Sequence, residues 1–161
     1  MKTITKVAFS ILGLGLVSNI FAYETFIKGT LDAVDLENTK KAGVGVEIGI
    51  QDKYLDNKLN LEASLGTKID GQKNINISYE INTRVGYEAY NNIKPYIVVS
   101  YLIDDIDKTT KEGRGFGKGV GIEYKINDKL FASLEYKDYN MKVSGEKYDK
   151  DTTSLGLKYI F

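Results

Sequence analysis

The sequence predicts an all-β fold, an eight-stranded antiparallel up-and-down transmembrane β-barrel that follows a signal peptide. Two observations support this prediction. Apolar residues recur at every second position in most segments after residue 22, which is the period of a strand with one apolar face. The connections between these segments alternate between brief turns and longer polar stretches, which is typical of a meander with two unlike ends.

The composition of the 161-residue chain excludes several classes of function. Its 22 basic residues balance 22 acidic residues, so no positive excess could hold a phosphate backbone, and we expect no nucleic acid partner. The chain has no His, Cys or Trp. It therefore has no disulfide framework, no Cys/His metal site and no His-dependent relay. We expect no enzymatic activity, no cofactor and no metal.

The first 22 residues have the three parts of a secretory signal. Met1–Lys6 is a positively charged head, Val7–Val17 is an apolar run, and a stretch ending in Ala22 contains small residues. The apolar run is too short to span a membrane. We expect the Sec translocon to export the chain and cleavage to follow Ala22, which leaves residues 23–161 as the barrel.

Alternation predicts the first four strands. In the second, Val44, Val46 and Ile48 lie on one side while small or polar residues fill the positions between them. The third and fourth strands repeat this pattern, and the first repeats it less cleanly. The predicted ranges are about 23–33, 44–51, 59–66 and 77–87.

The last four strands are predicted in the same way. The fifth is apolar on nearly both faces and begins with Pro95, where no ladder hydrogen bond is lost. In the sixth, Val120, Ile122 and Tyr124 alternate with glycine and glutamate. The predicted ranges are about 95–103, 119–124, 130–137 and 154–161.

The seven connections fall into two groups. Three are brief and rich in Asn and Asp, which favour turns: Asp52–Asn57, Tyr90–Lys94 and Ile126–Lys129. The other four are expected to be longer, polar surface loops: about Val34–Lys41, Ile69–Asn74, Asp104–Arg114 and Asn140–Asp151.

Alternation alone does not decide which face points inward, because a soluble barrel or sandwich would bury the apolar face. The polar face carries many glycines, as the narrow lumen of a membrane barrel requires: Gly45, Gly49, Gly66, Gly86, Gly117, Gly119, Gly121 and Gly156. Aromatic residues also cluster near both ends of the strands, which predicts two interfacial girdles. One girdle comprises Tyr23, Tyr87, Tyr90, Tyr96, Tyr124, Tyr159 and Phe161, and the other Tyr79, Tyr101, Phe116, Tyr136 and Tyr139.

The chain ends in Gly156-Leu157-Lys158-Tyr159-Ile160-Phe161, a Gly-x-x-aromatic-x-Phe pattern. With this ending the sequence resembles the small eight-stranded outer-membrane β-barrels of the OmpA/OmpX type. The stretches around Val85–Tyr87 and Gly117–Leu130 resemble the same family. The resemblance implies a location in the outer membrane and recognition of Gly156, Tyr159 and Phe161 by the barrel-assembly machinery.

Charged residues on the polar face should project into the lumen at membrane depth. A lone buried charge is costly, so we expect these side chains to pair and to fill the barrel. Glu62 and Arg84, with Glu47 beside them, are the preferred contacts. The alternative is a gated ion path or a catalytic carboxylate pair. The predicted lumen residues are Lys28, Glu47, Glu62, Glu80, Arg84, Glu123, Glu135, Lys137 and Lys158.

Lys118 has the parity of the apolar face and lies near the loop end. It could contact the phosphates of lipopolysaccharide or outer-membrane lipid, or simply extend toward water.

The sequence therefore predicts a non-enzymatic outer-membrane barrel with a filled polar lumen, a structural role, and surface loops that could contact a host or surface ligand. A narrow porin-like channel for ions or small solutes and a soluble periplasmic ligand-binding barrel are the alternatives.

Overall fold

A computed structural model describes residues 23–36, 39–70, 76–90, 92–105 and 112–161. The predicted signal peptide, residues 1–22, lies outside these ranges. The eight strands pair in chain order and close into one antiparallel barrel through β1 and β8, which confirms the predicted fold class. No helix among the described residues is long and apolar enough to cross a membrane. The strands are β1 Glu24–Leu36, β2 Thr39–Tyr54, β3 Leu59–Asp70, β4 Asn76–Tyr87, β5 Ile93–Asp105, β6 Glu112–Lys125, β7 Leu130–Val143 and β8 Glu146–Ile160.

The two faces of each strand have opposite environments. Leu31 on β1 pairs in register with Val44 and Leu155, and these three apolar side chains point outward. Leu31 is 64% exposed, whereas Lys137 on the inner face is fully buried. A soluble barrel would bury its apolar face, so this inversion suits a barrel surrounded by lipid.

The connections agree with prediction at only one end of the barrel. At the end where β1 begins and β8 ends, here called the terminus end, connections lie at 55–58, 88–92 and 126–129, close to the predicted turns. At the opposite end, here called the far end, the prediction of longer loops was wrong for two connections, because most of the Val34–Lys41 and Asn140–Asp151 stretches is strand. The other two predicted loops, Ile69–Asn74 and Asp104–Arg114, fall largely on residues 71–75 and 106–111, which lie outside the described residues.

The β7–β8 hairpin shows why strand replaces a predicted loop. Its turn is only Ser144-Gly145, and both residues have positive φ, at 50° and 94°. Two positive φ values are typical of a type I′ turn, whose twist matches that of the flanking strands. The strands lose their apolar alternation beyond the predicted boundary, but their backbones continue to pair.

The glycines of β6 make room for large side chains inside the barrel. A Cβ atom on Gly117 would lie 2.5 Å from the ring of Tyr139, and one on Gly121 would collide with the ring of Tyr96. The predicted girdle positions of Tyr96 and Tyr139 were therefore wrong, because both rings are buried in the lumen. Other predicted girdle residues do face outward, among them Tyr87, Tyr124, Tyr159, Phe116 and Tyr136.

Candidate functional site

The barrel lumen contains the densest group of functional side chains. Within the described ranges, seven basic and seven acidic side chains are enclosed in the lumen, so the formal charges of this enclosed set cancel. The basic residues are Lys28, Lys68, Arg84, Lys94, Lys137, Lys150 and Lys158, and the acidic residues are Asp32, Glu47, Glu62, Glu80, Asp104, Glu123 and Glu135. All are buried except Lys94, whose side chain is 14% exposed.

The cluster nearest the terminus end is centred on two lysines that share two carboxylates. The Nζ atom of Lys158 lies 2.7 Å from Glu62 and 2.7 Å from Glu123, and it donates to Gln51 at 3.0 Å. Lys94 approaches the same two carboxylates at 2.9 Å and 2.6 Å. The rings of Phe26 and Phe131 lie 5.1 Å and 5.2 Å from Lys158 Nζ, within cation–π range.

The central cluster is built around Arg84. Its Nε donates to Glu135 at 2.7 Å, one Nη donates to Ser64 at 3.0 Å, and the other reaches Glu47 at 3.0 Å. Tyr96 donates its hydroxyl to the same Glu135 oxygen at 3.0 Å. A planar guanidinium with several fixed donors can bridge carboxylates on different strands, here β2 and β7, as a single ammonium group could not.

Lys137 extends this network toward the far end. Its Nζ lies 3.1 Å from Glu135 and 2.6 Å from Glu80, so it joins the central cluster to the next one. Glu80 also accepts a hydrogen bond from the hydroxyl of Tyr139. Lys68 lies 3.6 Å from Glu80 and 3.6 Å from Asp32, which brings β1 and β3 into the same network.

An apolar cluster lies in the lumen beyond these charges. Leu102, Tyr139 and Met141 are buried together, and Tyr148 packs against them. Lys150 and Asp104 form an ion pair of 3.0 Å near this cluster. The far end of the lumen is therefore filled by side chains.

The terminus end is more open. A cavity of about 220 Å³ is lined by charged and amide side chains, among them Lys53, Asn60 and Asp128. Outside the strands, a hydrogen bond from Lys125 lowers the pKa of the Asp128 carboxyl. That pair is 2.8 Å apart and Asp128 is almost fully exposed, so its contribution to stability is small.

All nine lumen residues named from the sequence point into the barrel, but the two residues of the preferred pair, Glu62 and Arg84, have different partners. Glu62 and Arg84 are in-register neighbours on β3 and β4. Glu62 nevertheless pairs with lysines of the terminus-end cluster, whereas Arg84 pairs with Glu47 and Glu135. Register showed which residues are neighbours, but side-chain reach across the narrow lumen determines which of them pair.

Sequence reasoning left five charged lumen residues out of the site. Two of them, Lys94 and Asp104, stand in predicted connections, and Lys150 stands in a third. The missed residues are Asp32, Lys68, Lys94, Asp104 and Lys150. Asp32 shares the inward parity of Lys28 within the predicted first strand, and continuing the inward parity past the predicted strand ends would have identified the other four.

The remaining predicted sites lie elsewhere. Lys118 is exposed on the outer face, between Val99 and Asp138 in register. At the C-terminus Gly156 faces the lumen, while the rings of Tyr159 and Phe161 face outward and contact each other edge to face at 5.4 Å.

The lumen network has limited chemical capacity. Each of the seven buried carboxylates lies within ion-pair distance of a basic side chain, so its oxygens are engaged by the protein itself. Among the described residues, no group of three or more acidic side chains could hold a metal ion.

Comparison with known proteins connects this geometry to a family. A family model described as "Outer membrane protein beta-barrel domain" matches residues 7–161. No curated protein matches the sequence.

Several solved structures share the fold at low sequence identity. Neisserial surface protein A is 13% identical with a TM-score of 0.59, covering 88% of this chain and 98% of its own. Ail, the attachment invasion locus protein of Yersinia pestis, is 12% identical with a TM-score of 0.59, covering 86% and 97%. The outer membrane enzyme PagL is 14% identical with a TM-score of 0.51, covering 83% and 98%. At these identities the likeness extends to the fold alone.

Proposed function

Because this chain belongs to the outer-membrane β-barrel domain family, we propose that it is a non-enzymatic structural protein of the outer membrane with a closed, charge-compensated lumen. In barrels of this kind the chain termini and short turns face the periplasm, so the far end is displayed at the cell surface. The barrel satisfies its backbone hydrogen bonds internally, and its apolar outer face fixes its depth in lipid.

The observation that supports this proposal best is the succession of paired side chains along the lumen. One ion-pair cluster surrounds Lys158, and a second runs from Arg84 through Glu135 to Lys137. The apolar cluster around Leu102 lies beyond them. Side chains packed in this way leave no space for a stream of hydrated ions. Each ion that entered would have to separate a buried ion pair, which is costly.

The alternative function is a narrow channel for ions or small solutes, and conductance measurements can test it. We expect the purified protein to give no discrete current steps in planar lipid bilayers, whereas a porin prepared in the same detergent gives steps. Regular unitary steps that scale with protein concentration would contradict the closed lumen and favour the channel.

The fold itself also accommodates enzymes, as the name of PagL indicates. Two features favour a non-enzymatic role for this chain. It has no His to act as a general base, and the lumen carboxylates are engaged by basic side chains.

The same proposal includes two partners, the barrel-assembly machinery and a lipid of the outer membrane. The outward Tyr159 and Phe161 stand at the end of β8, where the barrel-assembly machinery would recognise them before the barrel closes. Lys118 stands on the outer face near the middle of β6, beside Asp138 in register, and its ammonium group could extend to a lipid phosphate. The β7–β8 connection at the far end is only the Ser144-Gly145 turn, so a surface ligand at this hairpin would contact strand ends more than a loop.

A further inference from the structure

We propose that the cavity at the terminus end, here called the vestibule, binds one neutral sugar ring. The vestibule adjoins the lumen cluster nearest this end, because Lys94 and Glu123 belong to both. Exposed residues of two connections, Asn57 and Asn92, line it as well, so it extends from the lumen charges to the surface of the barrel. A ligand can therefore enter it without passing the buried ion pairs.

A buried amide without a partner lies in the inner wall of the vestibule. Asn60 is 4% exposed, and its Oδ1 accepts a hydrogen bond from Lys94 at 3.1 Å. This contact assigns the orientation of the amide, because a lysine can only donate. Nδ2 of Asn60 then has no hydrogen-bond partner among the described residues. A buried donor without an acceptor is costly, so an occupant that presents an acceptor to it is favoured.

The lysines of the wall are already paired, which disfavours an anionic occupant. Lys94 lies 2.9 Å from Glu62 and 2.6 Å from Glu123. With Asn60 as a third acceptor, all of its ammonium protons are engaged. The other two lysines are paired at the rim, Lys53 with Glu24 at 3.2 Å and Lys125 with Asp128 at 2.8 Å. Four acidic side chains line the vestibule against three basic ones, so an anion would also meet a net negative wall.

The inner wall does not suit a cation either. Its buried carboxylate, Glu123, has one oxygen 2.6 Å from Lys94 and the other 2.7 Å from Lys158. The unpartnered group beside it, Nδ2 of Asn60, is a donor and cannot bind an ammonium group. A hydroxyl group matches this wall, because its oxygen accepts from the amide while its proton is donated to a carboxylate.

The size and the remaining lining of the vestibule fit a sugar ring. Its volume of about 220 Å³ is that of about seven water molecules, which is the space of one hexose. Phe131 supplies an aromatic wall on which the C–H face of the ring can pack. Asn57 and Asn92 supply amides at the rim, which donate to hydroxyl groups and accept from them. A few polar groups beside an apolar surface are typical of a small-molecule site.

The source of the sugar follows from the orientation of the barrel. In the proposed function the terminus end faces the periplasm, and this step rests on that proposal. The occupant is then a free periplasmic monosaccharide or the end of a glycan strand of the cell wall. Both sources present the same hydroxyl chemistry, so the length of the probe must distinguish them.

Backbone-amide NMR of the mature barrel in phosphocholine micelles tests the proposal, since detergents with sugar headgroups would compete. We expect glucose to shift the signals of Asn60 and Phe131 in a saturable titration. The signals of Leu102 and Met141, in the apolar cluster of the lumen, should not change. Glucuronate, and glucosamine in its ammonium form, carry a charge that the vestibule does not match. Each should bind about tenfold more weakly than glucose.

Substitution of the amide provides the second arm. Asn60→Asp removes the donor and keeps the oxygen that binds Lys94, so it should weaken glucose binding by about tenfold, the effect of one lost hydrogen bond. Asn82→Asp is the matched control and should leave binding unchanged. Asn82 is also a buried lumen amide whose Oδ1 accepts from a lysine, but it does not line the vestibule.

Two further variants complete this arm. Glu88→Gln removes the remaining carboxylate of the rim and should not affect a neutral ligand. Phe131→Leu removes the aromatic wall and should weaken glucose binding, which provides a test even if Asn60→Asp does not fold. Heat-modifiable gel mobility confirms that each variant is folded.

A tetrasaccharide of N-acetylglucosamine separates the two sources. Binding of the tetrasaccharide, with or without glucose, indicates the end of a glycan, whereas binding of glucose alone indicates a free sugar. If neither probe gave a saturable shift, the vestibule would hold water only and the proposal would be overturned. Equal binding of glucose, glucuronate and glucosamine, or undiminished binding by Asn60→Asp, would also overturn it. These outcomes depend neither on orientation in the membrane nor on conductance, so the proposed function is tested separately.

Discussion

Replacing Arg84 with methionine should lower the free energy of unfolding by about 3–5 kcal/mol, because it leaves Glu47 buried without a cation and leaves Glu135 with Lys137 as its close cation. Arg84 is 3% exposed and donates to Glu135, Ser64 and Glu47. Lys28 lies 3.8 Å from Glu135, too far to replace these hydrogen bonds. Urea unfolding in lipid vesicles, followed by circular dichroism and by gel mobility, measures the change.

The chain provides a matched control for this substitution. Arg114 is the only other arginine, and its side chain is 60% exposed and paired with an exposed Glu112. Arg114→Met should change stability by less than about 1 kcal/mol. If the two variants were equally stable, the lumen network would contribute little and the interior would have to be hydrated.

Gly119→Ala should destabilise the barrel by about 1–3 kcal/mol or prevent its folding, as expected for overpacking against a rigid neighbour. A Cβ atom at this position would collide with the backbone oxygen of Tyr136 and lie 2.7 Å from Cγ of Lys137. The backbone oxygen belongs to the paired strand β7, so it cannot move aside without disturbing the ladder.

Gly29→Ala is the control, because an alanine there points outward into open space. Ordinarily alanine is favoured over glycine within a strand by roughly 0.5–1 kcal/mol. The two substitutions should therefore have opposite signs in the same unfolding experiment. A neutral Gly119→Ala would show that β6 and β7 are less closely packed than the structure indicates.

The sequence was sufficient to predict the parity of the strands and the lumen positions derived from it. Alternation depends only on the chemistry of successive side chains, and it placed Glu47, Arg84 and Lys137 on the inner face. Eight strands also followed, since the sequence after residue 22 contains eight such segments separated by seven connections.

The extent of the strands at the far end could not be predicted in this way. Beyond the membrane the outer face no longer needs apolar residues, so the alternation fades while backbone pairing continues. Asn140 and Asp149 illustrate this, because they are polar residues paired in register. The Ser144-Gly145 pair was the feature of the sequence that could have indicated a two-residue hairpin turn, and therefore longer strands, at this position.

The inward direction of Tyr139 follows from the parity of Glu135 and Lys137, whereas that of Tyr96 does not, because the fifth strand is apolar on nearly both faces. The space that each ring fills depends on a neighbouring strand. Each ring occupies space that a glycine on β6 leaves empty, next to Gly121 and Gly117 respectively. Alternation within one strand does not reveal that compensation, although the register of β6 against β5 and β7 does.

Thiol accessibility at two neighbouring positions tests the central claim most directly. The chain has no native cysteine, so Val99→Cys and Ser100→Cys each introduce a single thiol on β5. Val99 is 57% exposed on the outer face, whereas Ser100 is 2% exposed in the lumen. Each variant in lipid vesicles is treated with a charged water-soluble thiol reagent and with an apolar membrane-soluble reagent. Unfolding in urea provides the reference for complete reaction.

We expect Cys at position 99 to react only with the membrane-soluble reagent and Cys at position 100 to react with neither. Rapid reaction at position 100 with the charged reagent would mean a water-filled lumen. Reaction at position 100 with the membrane-soluble reagent, with position 99 protected, would mean that the two faces are reversed. Either result would contradict a barrel whose apolar face meets lipid and whose paired charges fill its interior.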